Sequence, residues 1–225
     1  MGFIVKNTTF YGPFDWLCPH SCRGCGALGS VFCECCKNYI LHEHFNYCPR
    51  CKREVCGHTC DNCALIPPFT TLGFKDSIIG NLVMEYKYQS VRALGVELAR
   101  MLDAVLPYFD GPVAIVPLPT IGRHIRERGF DHMLYIAKKL AKLRGWKVER
   151  LLERATNSVQ VGAGAERRVM QAFSTYSIRD RVSPDITYLL LDDVWTTGAS
   201  MTAATRKLRE AGALKISITI LAVSR

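Results

Sequence analysis

The chain has 225 residues, 48% of them hydrophobic and 22% charged, which describes a globular protein with one sizeable core and excludes wholesale disorder. Its formal net charge of +9 suits a nucleic acid or polyphosphate ligand, and equally a solvated basic surface with no specific partner. No apolar run approaches the roughly 18–20 residues that span a bilayer, and the start, MGFIVKNTTFYGPF, lacks the apolar centre of an export signal, so a cytoplasmic protein without membrane insertion is expected.

All 11 cysteines fall between Cys18 and Cys63. Composition alone therefore divides the chain into a small cysteine-rich zinc-binding domain, 1–66, and a body, 67–225, with Ile66-Pro67-Pro68 as hinge. Within the head, Cys22 and Cys25 are followed by Cys33 and Cys36, then Cys48 and Cys51 by Cys60 and Cys63. Each CxxC sets two thiolates at the tip of a tight turn, and two such turns complete a tetrahedron around zinc. Two sequential four-cysteine sites, hence two structural zinc ions, are the first expectation. The interleaved pairing, first knuckle with third and second with fourth, is the alternative. A disulfide framework fits poorly with an odd cysteine count and no export signal. Cys18, Cys35 and Cys56 are left over; Cys35 could replace Cys36, and Cys56 or His58 could enter the second site. His42 and His44 flank Glu43 in what reads as a solvated turn.

From Phe69 onward strands and helices alternate. Ile78, Ile79, Leu82, Val83 and Tyr86 make a helical stripe over 76–88, and Val91, Leu94, Leu98, Met101, Leu102 and Val105 make another over 91–106. Val113–Val116 reads as a buried strand stopped by Pro117 and Pro119. Phe130, Met133, Leu134, Ala137, Leu140 and Ala141 share one face of a helix ending near Gly145. Then come a second buried strand, TYLLLDD, a helix over 201–211 stopped by Gly212, and a third strand, LKISITILAV. Buried strands separated by helices imply a parallel sheet flanked by helices, an α/β fold, with ligands at the carboxyl ends of the strands.

Two strand ends carry chemistry. Leu191 is followed by Asp192 and Asp193, then by Thr196, Thr197, Gly198, Ala199 and Ser200 at the amino end of a helix. Unpaired amides and the helix dipole favour a phosphate there, while the carboxylates would accept hydrogen bonds from a sugar diol or hold a hydrated magnesium. A sugar phosphate satisfies both halves. No Gly-Lys pair occurs, which removes the phosphate-loop NTPase, and no dinucleotide fingerprint follows a strand. An ordinary helix cap would explain one hydroxyl but not two acids with three hydroxyls. After Val116 lies a cationic run of Arg123, Arg126 and Arg128, suited to a pyrophosphate or simply to solvation. Most of the charge surplus sits between 120 and 181, which holds 14 Lys and Arg against 6 Asp and Glu.

LLLDDVWTTGAS resembles the phosphoribosyl pyrophosphate (PRPP) motif of type I phosphoribosyltransferases. VPLPTIGRHIRERGFDHMLYIAKKLA, LLERATNSVQ and ERRVMQAF are similar to segments of the ComF (competence protein F) family, whose members carry a cysteine-rich zinc head. The resemblance covers the chain from Cys22 to its end. It implies a type I phosphoribosyltransferase-like sheet in which Asp192 and Asp193 act as the catalytic acids on the ribose, residues 196–200 cradle the 5-phosphate, and Arg123, Arg126 and Arg128 face the pyrophosphate with magnesium. Asp131-His132 stand where the family often has Asn-Gln, Arg168 replaces an Asn, the loop between Gln160 and Phe173 is shorter, and Trp195 is bulkier than usual. The segment from Arg154 to Phe173, with Gly162 and Gly164, falls where the family has a lid. The implied role is in natural transformation, handling incoming single-stranded DNA in the cytoplasm alongside competence or DNA-processing proteins. The alternative is an active phosphoribosyltransferase of nucleobase or nucleotide metabolism with an unidentified acceptor.

Overall fold

The computed structural model describes residues 20–42, 46–63, 66–89, 91–154 and 176–225. Cys18, Glu43, His44, Arg168 and the expected lid beyond Arg154 lie outside them. The head contributes α1 (Glu34–His42) and a short hairpin of β1 (Asn46–Tyr47) and β2 (Glu54–Val55). The body runs β3 (Phe69–Phe74), α2 (Ile78–Tyr88), α3 (Arg92–Val105), β4 (Val113–Pro117), α4 (Gly122–Arg128), α5 (His132–Arg144), β5 (Lys147–Val148), β6 (Leu152–Arg154), β7 (Tyr176–Ile178), β8 (Thr187–Trp195), α6 (Ala199–Glu210) and β9 (Lys215–Val223).

Five strands form one parallel sheet in the order β3-β9-β8-β4-β5. The α/β class expected from the alternating pattern is the class observed. The apolar strands β4, β8 and β9 occupy the centre because both of their faces are covered. On one face Leu189 and Leu191 pack with Leu82, Leu94, Leu98, Ile136 and Leu140; on the other Leu190 packs with Ala204, Leu208, Ile218 and Ile220. Each fully buried leucine contributes about 1.5–3 kcal/mol. The helices start where local chemistry lets them: the Ser77 side chain accepts from the Ile79 amide, and Asp131 Oδ1 accepts from the Leu134 amide at 3.1 Å. Gly145, at φ +70°, ends α5 in the left-handed turn that glycine tolerates.

Three features depart from the sequence expectation. The edge strand β3 was hidden because FTTLGF shows neither alternation nor an aliphatic run. The cationic run after β4 is the helix α4 rather than an open loop. Finally, β8 does not stop with the acids of TYLLLDD but continues to Trp195, because β9 pairs with it as far as Trp195 opposite Val223.

The head packs on the body at two places. Cys22, Val31 and Phe32 join the cluster under α2 and α3, and Arg23 Nε donates to Glu85 at 2.7 Å. Lys37 Nζ reaches Glu97 Oε2 at 2.5 Å with side chains only 5% and 1% exposed, and Glu34 and Arg100 complete the network. At the sheet edge Asn46 acts as a substitute strand: its amide donates to the Phe69 carbonyl at 2.9 Å and its carbonyl accepts from the Thr71 amide at 3.0 Å. This covers a row of β3 backbone groups that would otherwise be exposed. Glu97→Ala leaves the buried Lys37 ammonium with only the half-exposed Glu34, and a urea titration is expected to show a loss of about 3 kcal/mol.

Candidate functional site

Successive residues of a strand point to opposite faces, so the adjacent acids of β8 have different partners although both border one cavity. Asp193 follows Leu189 and Leu191 to the side covered by α2 and α5. There Lys87 Nζ lies 2.5 Å from its Oδ2 and His132 Nε2 lies 2.9 Å from the same oxygen. Oδ1 accepts from the Val194 amide at 2.7 Å. Arg128 Nη1 sits 3.1 Å from His132 Nδ1. A guanidinium can only donate, so Nδ1 accepts and the hydrogen on Nε2 goes to Asp193. Burial alone would raise the Asp193 carboxyl, but the His132 hydrogen bond and the Lys87 charge outweigh it and hold the group well below the usual carboxylate range.

Asp192 has the opposite fate. Its main influence is burial, followed by the negative charge of Asp193, and together they push it up to about 7 despite the hydrogen bond it accepts from the Asp193 amide and the more distant charges of Lys87 and Arg154. Asp192 lines two cavities: one of about 240 Å³ with Lys87, Arg128, His132 and Ser200, and a small one with the turn residues Thr196, Thr197, Gly198, Ala199 and Ser200. It is the carboxylate presented to a ligand, while Asp193 is the one that fixes the wall.

The turn is built around Trp195. Gly198 has φ +77°, and a Cβ there would come within 2.2 Å of the indole ring. Glycine is therefore required twice, by its backbone angle and by the ring lying beneath it. The bulky residue noted in the sequence is a buried floor for the turn, only 7% exposed. No side chain caps α6 at Gly198, and Thr197 Oγ1 is 3.4 Å from the Ala199 amide. Apart from that long contact the first amides of the helix have no side-chain cap among the described residues, and such an end favours an anion.

The three arginines are dispersed by α4. Arg128 lines the larger cavity. Arg123 is exposed and paired with Glu127 at 2.7 Å, and Arg126 is exposed on the same short helix. Three lining residues were not singled out from the sequence: Lys87, His124 and Tyr176. Lys87 directly follows the buried Tyr86, but nothing in a stripe of apolar residues says that the lysine at its end reaches a strand over a hundred residues later. The Tyr176 hydroxyl is buried with no partner of hydrogen-bonding geometry among the described residues, and its ring faces Arg154.

In the head the eight CxxC sulfurs gather in sequence order, Cys22, Cys25, Cys33 and Cys36 in one group and Cys48, Cys51, Cys60 and Cys63 in the other, every sulfur of a group within 4.8 Å of the rest. Cys35 and Cys56 belong to neither group. Zn–S bonds of about 2.3 Å place tetrahedral sulfurs roughly 3.8 Å apart, and Cys25–Cys33 at 3.6 Å and Cys51–Cys60 at 3.7 Å match that spacing. The Gly24 and Cys33 amides each lie 3.3 Å from Cys22 Sγ, placed to donate. The donor set fits zinc.

An α/β domain with a carboxylate and a hydroxyl-flanked helix start at the carboxyl end of its central strand, fronted by two four-thiol groups, is the class that fold and site define. Over 227 residues the chain is 26% identical to Competence protein F of Haemophilus influenzae (strain ATCC 51907 / DSM 11121 / KW20 / Rd), covering 91% of this chain and 96% of that protein. The resemblance carried by the sequence motifs thus extends along nearly the whole length. No family model matches. Two solved structures are similar: a glutamine PRPP amidotransferase from B. subtilis complexed with ADP and GMP (18% identity, TM-score 0.43, 61% of this chain and 30% of that one) and a hypoxanthine phosphoribosyltransferase from Staphylococcus aureus (13%, 0.33, 63% and 61%). The chain spans less than two thirds of either structure. Among the described residues no helix is long and apolar enough to cross a membrane.

Two outcomes are expected. Elemental analysis of the purified protein should find two zinc ions per chain, and removing them with a chelator should unfold the head, whose apolar area is small. For Asp192 the raised folded-state pKa means that ionisation opposes folding. That cost appears above the unfolded value near 3.8 and is complete once the pH passes about 7. Asp192→Asn should therefore raise the melting temperature little at about pH 4, increasingly up to about pH 7, and by a constant amount beyond.

Proposed function

We propose that the chain is a ComF-like, phosphoribosyltransferase-type protein that binds PRPP with magnesium and serves natural transformation, handling incoming single-stranded DNA in the cytoplasm. The observation that carries this reading is the convergence of Asp192, the Trp195-supported turn and the cations Lys87 and Arg128 around one opening. In it the turn amides hold the 5-phosphate, Asp192 accepts from the ribose hydroxyls, and the cationic wall faces the pyrophosphate. Magnesium would arrive with the pyrophosphate, since it is usually held by one or two carboxylates plus substrate phosphates; Asp192 is the carboxylate open to it. Cysteine-rich residues 1–66 then serve as a structural domain on the ligand-binding body, 67–225, with zinc at both four-thiol groups. Arg123 and Arg126, exposed on α4, are placed to meet nucleic-acid phosphates outside the opening.

At about a hundred times its dissociation constant, PRPP with magnesium should raise the melting temperature by roughly 5–10 °C. Asp192→Asn should abolish the shift. No shift at millimolar PRPP would overturn the reading. The same variant separates the DNA role from the alternative, transfer to an unidentified acceptor. Salt-sensitive single-strand binding that survives Asp192→Asn supports the first, and pyrophosphate release that vanishes with it supports the second.

A further inference from the structure

A cavity of about 470 Å³ is bordered by Trp195 but by neither of the acids. It opens between Arg50 of the head, the Ile66-Pro67 hinge, α6 and Ile218 of β9. It contains neither Asp192, Asp193 nor Ser200, and touches the phosphate cradle only through Trp195 and Thr197. Nothing in the PRPP reading uses it.

Its walls have two chemistries. Ile66, Pro67, Ile218 and the flank of Trp195 are apolar, which suits a flat hydrophobic body. Thr202, Thr205, Arg206 and Arg209 recur at helical spacing on one face of α6 and give the opposite wall hydroxyls and positive charge. Arg206 is engaged by Glu210 at 2.7 Å, whose second oxygen is taken by Lys207 at 2.8 Å. Arg50 and Arg209 have no ion pair among the described residues, and both are exposed at the rim.

The decisive group is Thr205. It is 6% exposed, and its hydroxyl, closed off from solvent, has no hydrogen-bond partner among the described residues. A helical threonine can return its hydroxyl to a carbonyl in the preceding turn; this one does not. A buried hydroxyl left unmade opposes folding, and here it belongs to a residue of the cavity wall.

We propose that this cavity is a second ligand site, for a nucleoside monophosphate. The base lies between the hinge and Trp195, seating the ligand turns the closed-off Thr205 hydroxyl toward a polar atom of it, and the phosphate is shared by Arg50 and Arg209, whose guanidiniums suit its oxygens. A body without an anion would leave the two rim charges unused, and an anion without a body would leave the apolar walls wet. The cavity volume falls within the roughly 300–1,000 Å³ of small-ligand sites. The proposal does not depend on PRPP binding next door.

The test is calorimetric titration of the full chain with adenosine and thymidine 5′-monophosphates. Each would also be attracted to the cradle, so the titration is repeated in Thr196→Glu, which sets a carboxylate in the cradle at a residue that does not line the second cavity. Binding of at least one nucleotide that persists in Thr196→Glu and weakens about tenfold in Arg209→Ala is expected. Thr205→Val should weaken it several-fold while leaving the ligand-free melting temperature unchanged or higher, because the replaced hydroxyl satisfies nothing in the protein. No binding of either nucleotide at millimolar concentration would overturn the site. So would binding lost in Thr196→Glu but intact in Arg209→Ala, or inorganic phosphate binding as tightly as the nucleotides.

Discussion

Lys87 from α2 and His132 from α5 meet on a single carboxylate oxygen of Asp193, and the rest of the site depends on that convergence. A carboxylate so far out of water is tolerable only when its partners are close and its lone pairs are used. Here one oxygen takes two donors and the other takes the Val194 amide. The contact ties two helices to the end of the central strand. Arg128 then holds the outer nitrogen of His132, and Tyr86 donates to the His132 carbonyl at 2.6 Å, so the imidazole cannot turn away. With Asp193 satisfied inside the protein, its neighbour is the only acid of the pair left for a ligand.

The second fixed point is the indole of Trp195. It fills the space beneath Gly198 where any side chain would collide, so the height of the turn above the sheet is set by a rigid ring rather than by loop preference. The Trp195 carbonyl accepts from the Ser224 amide at 2.8 Å, which locks the residue from below. Because the same ring separates the cradle from the larger cavity beside the hinge, the two openings share a wall that cannot shift for one without shifting for the other.

The sequence made the periodic parts legible. Apolar stripes of α2, α3 and α5 and the aliphatic runs of β4, β8 and β9 are local signals, and the CxxC spacings foretold thiol grouping. What stayed hidden depended on partners far along the chain. FTTLGF is a strand because β9 lies on one side of it and Asn46 on the other, and neither neighbour can be read from six residues. Lys87 and His132 look like a helix-end lysine and a helix-start histidine until the fold brings Asp193 between them. The head, set apart by composition alone, proves to share buried clusters with the body, because a segment too small to bury much of its own surface gains by covering an exposed sheet edge.

The acid pair shows most plainly where linear reading stops. Two adjacent aspartates before a Thr-Thr-Gly turn look like one functional unit, and in a loop they would be. The continuation of β8 to Trp195 makes them residues of a strand, and a strand sends neighbours to opposite faces. One carboxylate therefore meets an ammonium and an imidazole directly, the other is buried beside its charged neighbour with those cations farther off, and their proton affinities move apart in opposite directions. Of the two, Asp192 is the acid that gives up its proton reluctantly and Asp193 the one that stays ionised. The carboxyl whose charge answers to its surroundings is thus the one with fewer protein partners, while the paired carboxylate behind it keeps its charge.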